Sequence, residues 1–445
     1  MSVQESDSNP IIQAAKKAKA ASSILARVSA DQRNRALAAI AMQLQERSGE
    51  VSVANRKDLD VASALVDEGK LPESLYQRLK LDEAKLADVI AGVERVAALD
   101  DPIGRVAYAV ELDDGLRLYR VACPIGVVGV VFESRPDALV QIASLCLKSG
   151  NGALLKGGRE AEHSNRTLFQ IIQEAVAREG LPPDALALLE NRQDVNSMLE
   201  AEGFVDLIIP RGSNDLVRYV QENTDIPVLG HAEGICHIYV DRAADLLRAA
   251  EITIDAKTQY PAACNAVETL LVHRVVAAEF LPDVITRLQA EGVEVRMERD
   301  ALSESGSSGV VPATPEDWDT EYCDLILSVR VVDSIQDAIE HINRHGSHHT
   351  DTIVTEDADA WDLFFAGVDS AGVFLNASTR FADGYRYGFG AEVGISTGKL
   401  HPRGPVGLEG LVSYKYKLVG AGHTVAMYGG REARRFTHRR LGEAT

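Results

Sequence analysis

The stretch Pro-Ile-Gly-Val-Val-Gly-Val-Val-Phe-Glu-Ser-Arg-Pro-Asp, residues 124–137, indicates the fold of this chain most directly. Within it, residues 125–132 form an uninterrupted apolar run, which is typical of a strand buried on both faces of a parallel sheet. Ser134 then suits the N-cap of a helix, and Pro136 suits the first turn of that helix. The stretch therefore predicts a buried strand that is followed at once by a helix.

The same alternation of short apolar runs and helical patterns continues along the chain. Strands are predicted at 153–156, 186–189, 204–210, 267–272 and 325–332, and helices at 160–179, 214–223, 245–257, 277–291 and 334–344. A second αβ unit is expected to begin near His231, and a Ser- and Gly-rich segment at 303–314 is expected to be a loop. This rhythm predicts an α/β protein built on doubly wound parallel sheets.

The segments that flank this region have other patterns. Residues 10–100 are mostly helical by composition and apolar spacing, and residues 105–121 alternate around Asp113-Asp114-Gly115, a favourable hairpin turn. Residues 411–419 alternate again and predict an edge strand. The basic stretch 431–440 is expected to be a solvated tail, as chain ends usually are.

Composition limits the classes of function. The chain has 445 residues, enough for two or three domains, and a formal net charge of −20, which argues against nucleic acid or an anionic membrane as the main partner. Its five cysteines are odd in number and lack CxxC spacing, so neither a disulfide framework nor a zinc site is expected. No signal-type segment or membrane-spanning apolar run is evident, so we expect a cytoplasmic protein.

Cys264 is the candidate nucleophile. It lies in Gln-Tyr-Pro-Ala-Ala-Cys-Asn, residues 259–265, where small neighbours leave room for a substrate carbonyl to reach the sulfur. The backbone amide of Cys264 and the side chain of Asn265 are candidate donors to the oxyanion that such an attack creates. The alternative is that Cys264 is a small, inert core residue.

Two further positions are candidates for binding phosphate. Lys156 follows a buried strand, where its ammonium suits a ribose hydroxyl or a phosphate, and Arg159 suits the extra phosphate of NADP. Gly212 and Ser213 open a helix, where backbone amides can receive a phosphate. The alternatives are exposed basic residues in a loop and an ordinary helix start capped by Ser213 or Asn214. No GxGxxG or P-loop motif supports a standard pyrophosphate turn.

The remaining polar candidates are weaker. The histidines at 345, 348 and 349 do not have the spacing of a zinc helix motif, so a surface or structural role is favoured over metal binding, and no metal is expected. Arg135, Arg211 and Arg380 are candidate anion anchors, although most arginines are simply solvated.

Taken together, these pieces resemble the aldehyde dehydrogenase superfamily, over about residues 10–423. Within it, they are most similar to the branch that reduces L-glutamyl 5-phosphate to L-glutamate 5-semialdehyde in proline biosynthesis. The resemblance rests on the stretch at 124–137 and on four others: Leu-Lys-Gly-Gly-Arg-Glu (155–160), Pro-Ala-Ala-Cys-Asn-Ala-Val-Glu-Thr-Leu (261–270), Val-Phe-Leu-Asn-Ala-Ser-Thr-Arg-Phe-Ala-Asp-Gly (373–384) and Ala-Glu-Val-Gly-Ile-Ser-Thr-Gly-Lys-Leu-His-Pro-Arg-Gly-Pro-Val-Gly-Leu (391–408).

The resemblance implies an aldehyde dehydrogenase-like fold of two doubly wound αβα domains and a small β arm for oligomerisation. The implied boundaries are 1–104 and 122–229, with part of 376–410, for a cofactor-binding domain; 230–375 for a catalytic domain; 105–121 and 411–422 for the arm; and 423–445 for a basic tail. A homodimer or homotetramer is expected.

The resemblance implies roles for Cys264, Asn265, Lys156 and Glu321, and residue chemistry and motif position add the other candidates. Those expected to act in catalysis are Cys264, Asn265 and Ser134; those expected to bind NADPH or NADP are Lys156, Gly157, Arg159, Gly212, Ser213 and Glu321; and those expected to bind substrate are Arg135, Asn376 and Arg380. Glu321 is assigned to the nicotinamide ribose. The implied reaction passes through a Cys264 thioester.

The chain departs from the hydrolytic aldehyde dehydrogenases in two places. Their Glu-Leu-Gly-Gly motif, whose glutamate activates water, is replaced by Gly-His-Ala-Glu-Gly-Ile-Cys at 230–236, and their oxyanion asparagine is replaced within Phe-Glu-Ser-Arg-Pro at 132–136. Loss of that base suits a reductase, because the thioester must accept hydride before water attacks it. The alternatives are oxidation of a free aldehyde and a non-catalytic binding subunit. Since the chain lacks a kinase domain, association with glutamate 5-kinase is a further expectation.

Overall fold

The computed structural model of the protein describes residues 9–133, 135–230, 233–298, 301 and 308–442. The helices are α1 (Pro10–Leu25), α2 (Ala30–Glu46), α3 (Ser48–Asp67), α4 (Glu73–Leu79), α5 (Glu83–Ala98), α6 (Pro136–Lys148), α7 (Glu162–Arg178), α8 (Arg192–Leu199), α9 (Asn214–Glu222), α10 (Leu246–Thr258), α11 (Arg274–Ala290), α12 (Ile335–His345) and α13 (Ala358–Gly367). The predicted N-cap Ser134, the predicted unit start His231 and part of the predicted loop at 303–314 lie outside the described residues.

The strands complete the mixed α/β architecture that the sequence predicts. They are β1 (Val106–Asp113), β2 (Leu116–Pro124), β3 (Val127–Phe132), β4 (Gly152–Lys156), β5 (Leu186–Leu189), β6 (Leu207–Arg211), β7 (Cys236–Val240), β8 (Val267–His273), β9 (Glu294–Met297), β10 (Val311–Pro312), β11 (Ile326–Val332), β12 (Thr350–Val354), β13 (Gly372–Leu375), β14 (Gly394–Ser396), β15 (Gly404–Val406), β16 (Val412–Val419) and β17 (Arg439–Arg440). Strands β14 and β15 form a two-stranded sheet of their own.

The chain divides into two compact units, and the first contains residues 1–228, 389–394 and 406–445. Its parallel sheet has the order β5-β4-β3-β6, and every residue of β3 is buried, as the opening stretch predicts. Glycine is required just before β3, because Gly126 has a φ of 135° and a Cβ there would lie 2.1 Å from Oδ2 of Asp206. The same carboxylate accepts a hydrogen bond from the N–H of Val127 and fixes the start of the strand.

The second unit contains residues 229–388 and 395–405. Its parallel sheet has seven strands in the order β10-β9-β11-β8-β7-β12-β13. Helices α10 and α11 contribute apolar side chains to the same buried cluster as strands β7, β8 and β11. Strand β12 and helix α13 lie between residues 344 and 372, where no element is predicted from the sequence. That strand was missed because Thr350, Asp351 and Thr352 are polar, although all five residues of β12 are buried.

An antiparallel sheet in the first unit has the order β16-β2-β1-β17 and contains the predicted hairpin and edge strand. The basic stretch at 431–440 is exposed throughout, as predicted, but it is not a free tail, because β17 pairs with β1 in the register Glu111 to Arg439. Glu111 and Asp113 are 5% and 6% exposed, and they form ion pairs with Arg439 and Arg434. Carboxylates that are mostly removed from water need such cationic partners, and the basic end of the chain supplies them.

Among the described residues, no helix combines the length and the apolar character needed to cross a membrane.

Helix α7 in the first unit depends on a carboxylate from α3. Asp58 is 4% exposed, and its Oδ1 accepts the His163 N–H at 3.0 Å. Its Oδ2 accepts the Ser164 N–H at 2.8 Å and the Ser164 hydroxyl at 2.6 Å. The residue in the N-cap position, Ala161, supplies no side-chain hydrogen bond. Asp58 therefore satisfies the first backbone donors of α7 from outside the helix.

We expect Asp58→Ala to destabilise the protein by about 2 kcal/mol, because it leaves buried backbone donors of α7 without a partner. For a unit of this size that corresponds to a fall in melting temperature of roughly 4–8 °C. The matched control is Asp60→Ala, an exposed position on the same helix, which should change the melting temperature by less than about 2 °C. Equal melting temperatures for the two variants would contradict the assignment.

Candidate active site

Three segments of the second unit meet at the amino ends of neighbouring parallel strands. Strands β8 and β12 both pair with β7, with Cys236 opposite Val267 and His237 opposite Asp351. The residues that immediately precede β7, β8 and β12 are therefore brought together. They include Gly234, Cys264 and His349, which are far apart in the sequence.

Cys264 lies in a turn between α10 and β8. The N–H of Ala266 donates to the carbonyl of Ala263 at 2.8 Å, which closes the turn around the half-buried cysteine. The backbone at Gly234 passes so close that a Cβ there would lie 2.2 Å from the Cys264 carbonyl oxygen, so only glycine fits. Among hydrogen bonds between described residues, none uses the Cys264 N–H. That donor is suited to an oxyanion formed beside the sulfur.

His349 is the functional candidate that the sequence analysis missed. Its Nε2 lies 3.4 Å from Sγ of Cys264, and its side chain is 1% exposed. Its Nδ1 lies 2.9 Å from Oγ1 of Thr350. The three histidines were judged by metal-ligand spacing alone, and the cysteine that His349 contacts is distant in sequence. The sequence around His349 gave no signal of this contact, because the strand that follows begins with the polar residues Thr350, Asp351 and Thr352.

Arg380 is also buried in this part of the unit, at 8% exposure. Its Nε donates to Oε1 of Gln259 at 2.9 Å, and its guanidinium lies 5.9 Å from the centre of the Tyr260 ring. Burial lowers the pKa of Arg380, Arg386 lowers it further, and the charge of Cys264 opposes this shift. Arginine stays protonated in proteins despite such a shift, so the Arg380 guanidinium is a buried cation that interacts electrostatically with the candidate nucleophile.

The two predicted asparagines have structural contacts. Asn265 is 4% exposed, and its Nδ2 donates to the carbonyl of Ala382 at 2.8 Å, so its role at an oxyanion stays a prediction. Asn376 accepts from the N–H of Thr355 at 3.0 Å and donates to the carbonyl of Thr355 at 2.9 Å. Because both ends of its amide are engaged, the structure favours a role for Asn376 in holding the end of β13 over the predicted contact with substrate.

A buried ion pair joins the two ends of the loop that contains Cys264. Lys257 in the last turn of α10 donates to Glu268 at the start of β8, at 2.6 Å, and the two side chains are 0% and 1% exposed. Burial raises the pKa of Glu268 to about 7, and the charge of Lys257 opposes the rise. Oε1 of Glu268 also accepts the Cys323 N–H at 3.4 Å. The pair therefore holds the segment 321–323, which contains the predicted ribose ligand Glu321.

The predicted cofactor residues Lys156, Gly157 and Arg159 lie together in the first unit, where β4 ends. Lys156 is 7% exposed, its Nζ donates to the Gly157 carbonyl, and burial lowers its pKa. A Cβ on Gly157 would lie 2.2 Å from Nδ2 of Asn165, so the backbone passes close to α7. Arg159 is exposed and lines a small pocket with Gly157 and Glu162. An ammonium and a guanidinium at the carboxyl end of a parallel strand fit the phosphate and ribose groups of a nucleotide cofactor.

The predicted phosphate contact at Gly212 and Ser213 is not supported. The Ser213 N–H donates to Oε2 of Glu133 at 2.8 Å, and a Cβ on Gly212 would lie 2.5 Å from the same oxygen. A carboxylate therefore already binds at the start of α9, and its charge would repel a phosphate there. The guanidinium of Arg211, a candidate anion anchor, instead binds Glu392. It donates to the Glu392 backbone carbonyl at 3.0 Å and lies 3.4 Å from the Glu392 carboxylate.

The remaining predicted residues are placed as follows. Ser134 lies outside the described residues, and Arg135 occupies the N-cap position of α6 without a capping side-chain bond. Arg135 belongs to the first unit, whereas Arg380 belongs to the second. The described part of the chain contains no group of three or more His, Cys, Asp or Glu side chains that could hold a metal ion.

Comparisons with known proteins agree on one family. The model of the aldehyde dehydrogenase family matches residues 1–303. The gamma-glutamyl phosphate reductase of Nostoc punctiforme is 54% identical over 433 residues, which are 97% of this chain and 98% of that protein. The reductase of the same name from a Cyanothece species is 57% identical over 420 residues, which are 94% and 95% of the two chains.

A solved structure leads to the same result. The crystal structure of gamma-glutamyl phosphate reductase from Thermotoga maritima is 41% identical, covers 94% of this chain and all of its own, and has a TM-score of 0.89. The long motifs at 124–137, 261–270 and 391–408 are thus part of a similarity that extends over nearly the whole sequence. The chain belongs to the aldehyde dehydrogenase family and, within it, to the gamma-glutamyl phosphate reductases.

Proposed function

We propose that the protein catalyses the NADPH-dependent reduction of L-glutamyl 5-phosphate to L-glutamate 5-semialdehyde and phosphate, the second step of proline biosynthesis from glutamate. The observation that carries the proposal is Cys264, a half-buried thiol in a turn of small residues, with His349 3.4 Å from its sulfur. The family membership supports the identity of the substrate, since the relatives are named for gamma-glutamyl phosphate.

The proposed chemistry begins at the sulfur of Cys264. Its thiolate attacks the acyl carbon of the substrate, and the Cys264 N–H, which has no acceptor among the described residues, is a suitable donor to the tetrahedral oxyanion. The bond between the acyl carbon and the phosphate oxygen then breaks, and phosphate leaves with the electron pair. A thioester on Cys264 remains. Phosphate is a good leaving group, so the site needs positioning and charge stabilisation more than a strong general acid.

Arg380 is the residue we propose for holding the anionic part of the substrate. It is buried, it interacts electrostatically with Cys264, and its guanidinium is oriented by Gln259. A guanidinium binds a phosphate or a carboxylate through two parallel hydrogen bonds. Either the acyl phosphate or the α-carboxylate of the substrate matches this chemistry.

Lys156 and Arg159 are proposed to bind the phosphate and ribose groups of the cofactor, and Glu321 is proposed as the ligand of the nicotinamide ribose. Bound NADPH would supply the hydride that converts the thioester into the semialdehyde and regenerates the Cys264 thiolate. The preference for NADPH over NADH rests on Arg159, which is exposed at the end of β4 and suits the additional phosphate.

Two partners complete the proposal. Acyl phosphates hydrolyse readily, so the substrate must come from a kinase that phosphorylates the glutamate side chain, and association with glutamate 5-kinase would shorten its path. A homodimer or homotetramer is proposed to form through β16, an edge strand with the exposed apolar residues Tyr414, Tyr416 and Leu418.

The first test is the reverse reaction, because glutamate semialdehyde is easier to handle than the acyl phosphate. We expect reduction of NADP to require inorganic phosphate and to fall to background in Cys264→Ala. The control Cys123→Ala, a half-buried cysteine of β2, should keep full activity. Reduction of NADP without phosphate would instead indicate a hydrolytic dehydrogenase, and cofactor binding without any turnover would indicate a non-catalytic subunit.

We expect Arg380→Ala to raise KM for phosphate or for the semialdehyde by about tenfold to a hundredfold, since a hydrogen bond to a charged group contributes about 1.5–3 kcal/mol. Arg380→Lys should fall between this variant and the wild type, because it keeps the charge but loses the paired geometry. The exposed Arg344→Ala, on α12, serves as the control. Unchanged KM values in Arg380→Ala would remove this residue from the binding site.

Cofactor preference is tested separately through binding. We expect Arg159→Ala to weaken NADPH binding by about tenfold or more and to leave NADH binding nearly unchanged, because only NADPH has the extra phosphate. Dissociation constants measured by cofactor fluorescence give both values. Arg166→Ala, an exposed arginine on α7, is the matched control, and an equal loss of affinity for both cofactors in Arg159→Ala would contradict the assignment.

A further inference from the structure

We propose that His349 is the catalytic base that ionises Cys264, taking the thiol proton at Nε2 so that the cysteine attacks as a thiolate. This inference rests on the proposed function, since it assumes that Cys264 is the nucleophile. It adds a residue for which the sequence analysis predicted only a surface or structural role.

Distance and burial support direct proton transfer. Nε2 of His349 lies 3.4 Å from Sγ of Cys264, within hydrogen-bonding reach of a sulfur atom. His349 is 1% exposed, whereas Cys264 is half-buried and accessible to a ligand. The backbone of His349 is fixed by the β12–β13 pairing, because its carbonyl accepts the Gly372 N–H at 2.9 Å. The imidazole therefore has little freedom to move away from the sulfur.

A contact at Nδ1 of His349 can select the tautomer in which Nε2 is free to accept the thiol proton. Nδ1 of His349 lies 2.9 Å from the hydroxyl oxygen of Thr350, which is 1% exposed. When Nδ1–H donates to this oxygen, Nε2 carries the lone pair and faces the thiol. Space around the hydroxyl is tight, since a Cβ on Gly372 would lie 3.0 Å from it. Thr350 is thus a positioning residue for the base.

The other titratable groups in this region have different roles. Arg380 and Cys236 interact electrostatically with Cys264, and Asp351 and Glu268 act on Cys236. Burial raises the pKa of the Cys236 thiol well above its ordinary value, so it remains protonated near neutral pH. Asp351 is bound by His237 and Ser370, and Nδ1 of His348 lies 2.6 Å from the Asp369 carbonyl. Among the histidines in the described part of the chain, His349 is the one whose ring nitrogen contacts Sγ of Cys264.

The step is balanced without any further reactant. The S–H bond breaks, its proton forms a bond with Nε2, and the electron pair remains on sulfur as a thiolate beside the imidazolium. When the thiolate attacks and phosphate leaves, the proton on His349 is available to the departing phosphate. The cationic imidazolium and Arg380 both stabilise the thiolate before attack.

The test measures the reactivity of the Cys264 sulfur rather than the turnover of the enzyme. Cys264 is alkylated with iodoacetamide between pH 6 and pH 10, and the rate is read by mass spectrometry from the peptide that contains Cys264. An unassisted thiol has only a few per cent of thiolate at pH 7, so we expect His349→Asn to slow alkylation at pH 7 by about tenfold or more. At pH 10 the two rates should converge, because hydroxide ionises the thiol in both proteins.

Two controls keep the result specific. His348→Asn changes the neighbouring histidine, whose φ of 60° asparagine tolerates, and should leave the alkylation rate within about twofold of the wild type. His349→Gln provides a second substitution if His349→Asn is unstable, and melting curves of each variant report folding. The Cys123 peptide measures general reactivity in the same samples.

The outcomes separate this proposal from the proposed function. If both folded His349 variants are alkylated at the wild-type rate at pH 7, His349 is not the base that ionises Cys264. This conclusion holds even if Cys264→Ala abolishes phosphate-dependent activity. Slow alkylation in these variants, together with no phosphate-dependent activity in the wild type, would support the base and reject the proposed reaction. If the base and the proposed reaction are both correct, the wild type has phosphate-dependent activity, and the His349 variants are alkylated more slowly than the wild type only near neutral pH.

Discussion

The buried ion pair between Lys257 and Glu268 is the interaction on which the geometry of the nucleophile depends. It joins the end of α10 to the start of β8, so the loop that carries Cys264 is closed by a 2.6 Å contact that water does not reach. Removing one member would leave a buried charge without its partner, which is far more costly than losing a surface ion pair. Glu268 also receives the Cys323 N–H, so the same carboxylate holds the loop that contains Glu321.

The second constraint is the strand order of the second unit. Because β7 lies between β8 and β12 in parallel pairing, the segments that precede these three strands converge. Because residue 234 is glycine, the backbone before β7 can lie in close contact with Cys264. His349, in the segment before β12, contacts the sulfur of Cys264. The cluster is therefore at the amino ends of its strands. Lys156 follows the more familiar rule and lies at the carboxyl end of β4.

Much of the local structure could be predicted, because it depends on local chemistry. The apolar run before Pro136 became β3, the Asp113-Asp114-Gly115 turn joins β1 to β2, and β5 has its predicted bounds. The predictions from sequence failed or were incomplete where a residue distant in the sequence determines the contacts of a segment. The basic tail pairs with β1 and forms ion pairs with Glu111 and Asp113, and the Ser213 N–H at the start of α9 donates to Glu133. Neither partner is visible from the sequence around the segment concerned.

Local patterns in the sequence were enough to predict the α/β class, the order of most strands and helices, the family, and Cys264 as the candidate nucleophile. These follow from apolar periodicity, turn residues and contiguous motifs, which act over a few residues each. Which side chains lie near Cys264 depends on the three-dimensional arrangement, since His349 is 85 residues away in the sequence and Arg380 more than 100. Strand order and burial set those distances, because parallel pairing brings together segments that no local pattern connects.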